Sequence, residues 1–395
     1  MRIVFLGTFA MYPKGTISAR ALPLAQALTK RGHSVSVVIP PWDNPVDSGR
    51  ELTIEGVKVA NIKLPPRMPV LSHVIITLRL LLRSLAERPD VLHIFKPKAY
   101  AGLVAIGFWL LKRLGFSRVR LVVDSDDWEG KGGWNEMGCY PWWQQAIFAF
   151  QERWGLHHGQ MITVASKALG EMARKLGVPP ERILHLPNGV PERQTSSTRG
   201  CDSIRTHHQL GQGPVLLLYT RFFEFRRERL LEILNLLVDQ FPNVRLLIVG
   251  KGLSGEEQTL KSLAASDGLL QCMRFTGWVE SQRLEDYFAA ADVALYPMED
   301  TLLNRTKCPA KLVELLGAGV PVVADRVGEA AEYINSGETG ILVEPGNSDE
   351  FVAAVVLLLK DDTLRRRLGA EAKERAWTKY SWDRLADIAL RAYRQ

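Results

Sequence analysis

Short apolar runs alternate with longer amphipathic stretches through the first half of the chain. The apolar runs lie at 2–7, 33–40, 90–95, 118–124, 161–165 and 182–187. Between them, residues 19–32 and 99–114 have the pattern of helices that bury one face. An alternation of strands and helices predicts a parallel sheet with helices covering both of its faces.

The same alternation restarts after a polar segment. Further apolar runs lie at 214–220, 244–250, 273–279, 292–297, 320–324 and 340–344. Residues 191–213 predict a linker, so we expect an N-terminal domain over 1–190 and a second domain over 214–376. The last stretch, 377–395, predicts a helix that packs back on the N-terminal domain. The fold class is α/β, with two doubly wound parallel sheets that bind ligands across a cleft, at the carboxyl ends of their strands.

Composition supports two globular cores and excludes several classes of protein. The chain has 395 residues, of which 46% are hydrophobic and 24% are charged. Four cysteines without a CxxC pair argue against a zinc site or a disulfide framework and fit a reducing compartment. The apolar run at 2–7 is too short for a signal peptide, so we expect a cytoplasmic protein. The net charge of +7 suits phosphate-bearing ligands or an anionic membrane.

Arginines gather where the first strand of the second half ends. Arg221 directly follows the apolar run 214–220, and three more arginines open the next helix: Arg226, Arg227 and Arg229. Guanidinium groups at a strand end and a helix N-terminus can hold a diphosphate and stabilise charge on a departing phosphate. The alternative is a solvated charge run, which Glu224 and Glu228 neutralise in part.

A second charged motif lies at 304–324. Pro309 suits the first turn of a helix, and glycines mark its end before the buried strand "VPVVA". Lys311 and Glu314 sit three residues apart on one side of this helix. Taken alone, this pair is most simply interpreted as a surface salt bridge.

Several segments together resemble one known family. They are 7–35 ("GTFAMYPKGTISARALPLAQALTKRGHSV"), 90–100 ("DVLHIFKPKAY"), 219–227 ("YTRFFEFRR"), 246–252 ("LLIVGKG"), 274–297 and 311–355, which begins "KLVELLGAGVPVVA". With these segments the chain resembles a family 4 glycosyltransferase of the GT-B fold over nearly its whole length. The resemblance implies two Rossmann-like domains, with the acceptor bound by the first and a nucleotide-diphosphate sugar bound by the second.

The resemblance also implies roles for residues of the second half. Glu314 stands where the second glutamate of the family's Glu-x7-Glu element binds ribose hydroxyls, whereas the place of the first is Thr306. The chain instead resembles a subgroup with the pattern Asn-x-x-Lys-x-x-x-Lys-x-x-Glu. Three alternatives stay open for the residue that replaces the first glutamate: Glu299, Asp300 and Thr306. The implied catalytic residues are Arg221, Arg226, standing where a lysine is usual, and Lys311. The implied donor-binding residues are Gly15, Thr16, Gly250, Trp278, Asn304, Lys307 and Glu314.

Candidate acceptor contacts follow two strands of the first half. The implied set is Lys96, Asp124, Asp126 and Asp127. Two alternatives stay open for the aspartates: a metal-binding Asp-x-Asp, and capping of the next helix by Asp126 or Asp127. The resemblance implies transfer without a metal. His93, within an apolar strand, is interpreted as a hydrogen-bonded core residue.

Two apolar helices leave a further alternative open. The stretches 68–85 and 105–116 are edged by basic residues and precede a segment rich in tryptophan, 128–158. Such helices either cover a sheet or lie in a membrane interface. The second alternative would place the protein on the inner membrane face.

We therefore predict a retaining glycosyltransferase, without a cofactor, that moves a sugar from a nucleotide-diphosphate sugar to an acceptor hydroxyl. The acceptor is a glycan, a glycolipid or a small molecule, and no nucleic-acid partner is expected. A GT-B epimerase or phosphorylase is one alternative. A non-catalytic sugar-binding subunit is another, and Thr306 and Phe95 favour it.

Overall fold

Two compact units make up the computed structural model, which describes residues 1–12, 15–138, 140–192 and 198–394, without the side chains of 198 and 199. The first unit contains residues 1–189, 306–308 and 381–395. The second unit contains residues 190–305 and 309–380.

The first unit is built on an eight-stranded sheet. Its strands are β1 (Arg2–Gly7), β2 (Ser34–Ile39), β3 (Glu51–Ile54), β4 (Val57–Asn61), β5 (Val91–Phe95), β6 (Arg120–Ser125), β7 (Met161–Val164) and β8 (Ile183–His185). Their order is β3-β4-β2-β1-β5-β6-β7-β8, and every pair is parallel except β3 with β4. Chain order reverses between β1 and β5, so the ligand-binding position of such a sheet lies beyond these two strand ends.

The first-unit helices cover both faces of this sheet. They are α1 (Leu22–Lys30), α2 (Leu71–Ala86), α3 (Ala99–Arg113), α4 (Trp134–Met137), α5 (Trp142–His158) and α6 (Lys167–Lys175). Ile3 and Phe5 point into a core that α1 shares, whereas Val4 and Leu6 point into a core shared by α2, α3, α5 and α6. This alternation along β1 is the two-residue period of a strand that is buried on both faces.

The second unit has a six-stranded parallel sheet. Its strands are β9 (Val215–Tyr219), β10 (Arg245–Val249), β11 (Met273–Gly277), β12 (Val293–Tyr296), β13 (Val322–Asp325) and β14 (Ile341–Val343). Their order is β11-β10-β9-β12-β13-β14, so the reversal falls between β9 and β12.

The helices α7 to α15 follow in the second half of the chain. They are α7 (Thr198–His207), α8 (Arg227–Gln240), α9 (Glu256–Ser266), α10 (Leu284–Ala289), α11 (Leu302–Thr306), α12 (Ala310–Ala318), α13 (Ala330–Tyr333), α14 (Ser348–Lys360) and α15 (Asp362–Tyr380). Among the described residues of this unit, one large apolar core joins α8 and α14 to the sheet.

The predicted linker is wrong in one respect. Residues 198–207 of the segment 191–213 form α7, which packs on α10. Ile204 and Leu210 are buried, and the Arg205 guanidinium donates to the carbonyl of Ala290 at 3.0 Å. Because this segment is mostly polar, its short helix, which two buried apolar side chains stabilise, was not predicted from the sequence. Residues 193–197 lie outside the described chain.

The chain ends in α16 (Trp382–Arg394), which belongs to the first unit. The predicted helix was to begin at residue 377, but residues 377–380 still belong to α15. Leu385, Ala389 and Tyr393 bury one face of α16 in the core that α1 also lines.

No helix in the described part of the chain is both long enough and apolar enough to cross a bilayer.

Candidate active site

The loops after β1 and β5 meet at the reversal point of the first sheet. The Thr8 hydroxyl lies 2.7 Å from the carbonyl oxygen of Lys98 and 3.2 Å from that of Lys96. Lys96 is held at φ +63°, a strained conformation for a residue with a side chain. Such strain, at the place where the fold binds ligands, makes Lys96 a candidate binding residue.

Lys96 lies among three carboxylates. Its Nζ is 2.7 Å from Asp127 Oδ2, 3.3 Å from Glu129 Oε1 and 3.6 Å from Asp126 Oδ1. Burial opposes the charge on Lys96, but the three acidic neighbours outweigh it and raise the lysine pKa well above its usual value. The predicted acceptor residues Lys96, Asp126 and Asp127 therefore form one cluster.

The loop after β1 contributes to this cluster through Thr16. Its hydroxyl donates to Asp126 Oδ2 at 3.2 Å. Burial raises the pKa of Asp126 to about 6, although the nearby Lys96 charge acts in the opposite direction. Gly15 precedes a π-helical segment, Thr16–Ala21, a rare geometry that is frequent at functional sites.

Neither alternative for the aspartates is supported among the described residues. The helix that follows, α4, begins after Gly133 and has no side-chain cap, so Asp126 and Asp127 do not cap it. Asp124 is fully buried, and Arg20 donates to both of its oxygens, at 2.7 and 2.6 Å. The Asp-x-Asp pair therefore does not offer two available metal ligands.

Asp124 also leaves the predicted acceptor set. Besides the guanidinium of Arg20, its carboxylate accepts the Thr163 hydroxyl at 2.5 Å. His93 Nε2 lies 3.1 Å from that hydroxyl, and His93 Nδ1 lies 2.8 Å from the hydroxyl of Tyr393 on α16. His93 is thus a hydrogen-bonded core residue, as predicted, and burial lowers its pKa to about 4.

Glu152 on α5 is a buried acid that sequence reasoning missed. It accepts the Ser125 hydroxyl at 3.1 Å and the backbone N–H of Glu129 at 2.8 Å. Burial, reinforced by the Glu129 charge, raises the pKa of Glu152 to about 8. Glu152 holds the loop that carries the acidic cluster, and no local sequence signal distinguishes it from other polar residues of an amphipathic helix.

In the second unit, Arg221 follows β9 at the point where the sheet order reverses. It is half-buried, and its guanidinium has no ion pair or hydrogen bond with any residue of the described chain. Arg229 differs, because its guanidinium is buried and bonds Asp325 at 2.7 and 2.9 Å. Arg229 is therefore structural, while Arg221 is available to a ligand.

Two other arginines of the second unit, Arg226 and Arg305, form exposed ion pairs. Arg226 Nε lies 3.3 Å from Glu299 Oε1, and both side chains are exposed to solvent. Arg305 pairs with Asp300 in the same way. Arg227 Nε is buried without a hydrogen-bond partner in the described chain. Arg227, which is not among the catalytic residues implied by the sequence, is therefore a further candidate for ligand binding.

Asn304, which the sequence predicts to bind the donor, makes hydrogen bonds within the protein. Its Nδ2 donates to the carbonyl of Glu224 at 2.8 Å and to that of Glu299 at 2.9 Å. The amide nitrogen therefore joins two loops, although the residue was predicted to bind the donor. Thr306, in the place of the family's first glutamate, is buried.

The remaining donor-side candidates lie on α12, directly before it and after β11. Lys311 on α12 places its Nζ 4.0 Å from the ring centroid of Tyr219, at the end of β9. Glu314 is half-buried on the same helix, Lys307 is half-buried before it, and Trp278 is exposed after β11.

Gly250 must be glycine. It has φ +134°, and an added Cβ would lie 1.9 Å from the carbonyl oxygen of Thr220. The close approach fixes the turn after β10 against the loop that carries Arg221.

Two family models match the chain. The model described as "Glycosyl transferase 4-like domain" matches residues 15–189, and the one described as "Glycosyl transferases group 1" matches residues 213–361. Between them they account for more than half of the chain. The protein therefore belongs to the glycosyltransferases and is an enzyme of that class.

Curated relatives agree with this assignment. A phosphatidyl-myo-inositol mannosyltransferase of Mycobacterium leprae is 27% identical, covering 100% of this chain and 96% of the relative. A GDP-mannose-dependent alpha-(1-6)-phosphatidylinositol monomannoside mannosyltransferase of Mycobacterium tuberculosis is 30% identical, covering 56% of this chain and 58% of the relative.

Solved structures establish the fold as GT-B. Anabaena HepE in complex with UDP and glucose superposes with a TM-score of 0.73, at 18% identity and 98% coverage of both chains. Sucrose-phosphate synthase of Thermosynechococcus elongatus gives a TM-score of 0.74 at 19% identity, covering 100% of this chain and 98% of that one.

Proposed function

We propose that this glycosyltransferase moves a sugar from a nucleotide-diphosphate sugar to an acceptor hydroxyl and retains the configuration at the anomeric carbon. The observation that carries the proposal is the half-buried Arg221 guanidinium, which has no ionic partner in the described chain at the reversal point of the second sheet. A half-buried cation without a counter-charge has lost part of its hydration, and a diphosphate supplies the missing charge.

The donor half of the reaction uses residues of the second unit. Arg221, Arg226 and Lys311 hold the diphosphate, and Glu314 accepts hydroxyl groups of the ribose. As the bond between the anomeric carbon and the phosphate oxygen breaks, the arginines stabilise the negative charge on the leaving diphosphate. The acceptor oxygen bonds the same face of the sugar, and its proton passes to the departing phosphate oxygen. Fixed cations serve here in place of a metal ion.

Lys96, Asp126 and Asp127 of the first unit contact the acceptor. Their cluster combines a buried cation with carboxylates at a strand end, and carboxylates bind sugar hydroxyls well. The names of the two mycobacterial relatives point to mannose as the donor sugar and to a phosphatidylinositol-type lipid as the acceptor. GDP-mannose is therefore the first donor to test.

Incubation with a panel of nucleotide sugars tests the proposal. With GDP-mannose, UDP-glucose and ADP-glucose supplied in turn, we expect one donor to release free nucleoside diphosphate, and the release to rise strongly when phosphatidylinositol is added as the acceptor. The matching nucleoside diphosphate should also raise the melting temperature, because it binds only the folded protein. A donor that is epimerised would instead favour the epimerase. If a donor binds but is not turned over with any acceptor, the result would favour the non-catalytic sugar-binding subunit.

We also propose that the first unit contacts an anionic membrane through an outer apolar surface formed by α2, α3 and α5. Along α2 four apolar side chains, spaced three or four positions apart, are each about half exposed or more: Leu71, Val74, Leu78 and Leu82. His73 is also exposed on this helix. The neighbouring helices add Leu103, Leu110, Leu114, Trp143, Ile147 and Phe150.

Two comparisons support a lipid surface as the partner. On the opposite layer of the same sheet, α16 exposes charged side chains: Asp383, Arg384, Asp387, Arg391 and Arg394. The sequence from Lys63 to Arg120, which contains α2 and α3, has eleven lysines and arginines but two acidic residues. Nine of the eleven remain when Lys96 and Lys98, which are buried, are set aside. An apolar helix face with basic edges binds membranes that carry negative charge.

The membrane proposal predicts binding to vesicles that contain phosphatidylglycerol and weaker binding to phosphatidylcholine alone, measured by co-sedimentation. Leu78→Glu/Leu82→Glu should weaken this binding roughly tenfold or more, since it places charge in the apolar face. Leu357→Glu is the matched control, because Leu357 is a similarly exposed leucine on α14. Equal vesicle binding by the wild type, the double variant and the control would contradict the proposal. The proposal would also fail if the wild type bound no vesicles but self-associated, and the double variant lost that self-association.

A further inference from the structure

Glu224 is a buried acid beside the arginine that carries the proposed function. It lies between β9 and α8 and is 4% exposed. Its Oε2 accepts the Thr220 hydroxyl at 3.0 Å and the backbone N–H of Arg221 at 3.3 Å. One carboxylate oxygen therefore contacts the residue before Arg221 and the backbone of Arg221 itself.

The next residue shows how tightly this turn is held. Phe222 has φ +70°, a conformation that a bulky residue avoids, and its side chain is buried. Its backbone N–H donates to the Thr220 hydroxyl at 2.7 Å, and that hydroxyl in turn donates to Glu224. Strained backbone persists only where surrounding bonds enforce it, and here Thr220 and Glu224 supply those bonds.

The main chain of Glu224 connects this turn to the loop after β12. Its carbonyl accepts Asn304 Nδ2 at 2.8 Å and the backbone N–H of Glu299 at 2.9 Å. Asn304 also donates to the carbonyl of Glu299, at 2.9 Å. The segments on the two sides of the reversal point are thus joined by Glu224 on one side and by Glu299 and Asn304 on the other.

We propose that Glu224 is a positioning residue, which holds the Arg221 turn in the one conformation that presents the guanidinium to the donor diphosphate, with Asn304 anchoring that turn to the loop after β12. This inference rests on the proposed function of Arg221. Sequence reasoning took Glu224 for a counter-charge in an arginine-rich run. If Glu224 acts as a counter-charge, it weakens diphosphate binding, whereas a Glu224 that positions Arg221 strengthens that binding.

The two roles predict changes of opposite sign in diphosphate affinity, so binding of GDP, UDP and ADP measured by calorimetry separates them. For whichever nucleotide binds the wild type, Glu224→Ala should weaken binding about tenfold, although removal of a negative charge alone would tighten it. Binding of the corresponding nucleoside, which lacks phosphates, should not change. In an Arg221→Ala background, Glu224→Ala should have no further effect, because its contribution passes through Arg221.

Control variants keep the test decisive. Glu228→Ala removes an exposed carboxylate four residues later and should leave binding unchanged or slightly tighter. Thr220→Val, which removes the bridging hydroxyl, should weaken diphosphate binding, and Thr220→Ser should restore it; this pair applies even if Glu224→Ala does not fold.

Four outcomes would overturn the inference. Tighter diphosphate binding by Glu224→Ala would show a counter-charge, and diphosphate binding equal to that of the wild type would show no role. Equal losses for nucleoside and diphosphate, or additive losses with Arg221→Ala, would show a general structural role. If the wild type binds none of GDP, UDP and ADP, it is the proposed function itself that fails.

Discussion

Arg221→Ala should lower kcat by roughly 100- to 1,000-fold, the range seen when one fixed group that stabilises transition-state charge is removed. The guanidinium is half-buried at the reversal point of the second sheet, with no partner in the described chain, so its loss should hardly affect folding. Stability should change by less than about 0.5 kcal/mol. Release of nucleoside diphosphate from the donor and calorimetric unfolding give the two measurements.

Arg366→Ala is the matched control for this prediction. Arg366 lies in the same unit on α15, and its side chain is 79% exposed, so both activity and stability should match the wild type. Parallel losses of activity and melting temperature in Arg221→Ala would contradict a catalytic role, because they would mark Arg221 as a structural residue.

Asp124→Asn should destabilise the protein by about 3–5 kcal/mol, the cost of removing one partner from a buried ion pair. Arg20 and Asp124 are both buried, and the remaining guanidinium would lose its counter-charge while still enclosed. The carboxylate also accepts the Thr163 hydroxyl, so one substitution disturbs a network that extends through His93 to Tyr393 of α16. Urea unfolding of the full chain measures the loss.

Asp90→Asn is the comparison for this second prediction. Asp90 pairs with Arg2 at 3.4 Å, but about half of each side chain is exposed, and such pairs contribute about 0–1 kcal/mol. If Asp124→Asn unfolded with the same midpoint as Asp90→Asn, the Arg20–Asp124 pair would not be the stabilising contact that its burial indicates.

The architecture was largely predictable because buried parallel strands give continuous apolar runs. Each such run that the sequence analysis identified overlaps a strand of the structure. The hairpin of β3 and β4 was overlooked, because both strands are short and β3 buries almost nothing, so it gives no continuous apolar run. Its signal was the turn Glu55–Gly56, where both residues have positive φ.

The site could be predicted only by the type of residue at a strand end. Arg221 and Arg229 look equivalent in the sequence, yet one has no partner in the described chain and the other is bonded to Asp325, which lies 96 residues away. Asp124 and Asp126 likewise differ because Arg20 reaches one of them. Pairing across such distances depends on the tertiary fold, so local pattern did not separate ligand-binding charges from structural ones.

A crystal structure with bound GDP or UDP tests the central claim most directly. The account predicts the diphosphate within hydrogen-bond distance of the Arg221 guanidinium, beyond the carboxyl end of β9, and the ribose hydroxyls at Glu314. A diphosphate bound elsewhere, with Arg221 in contact with protein groups alone, would contradict it.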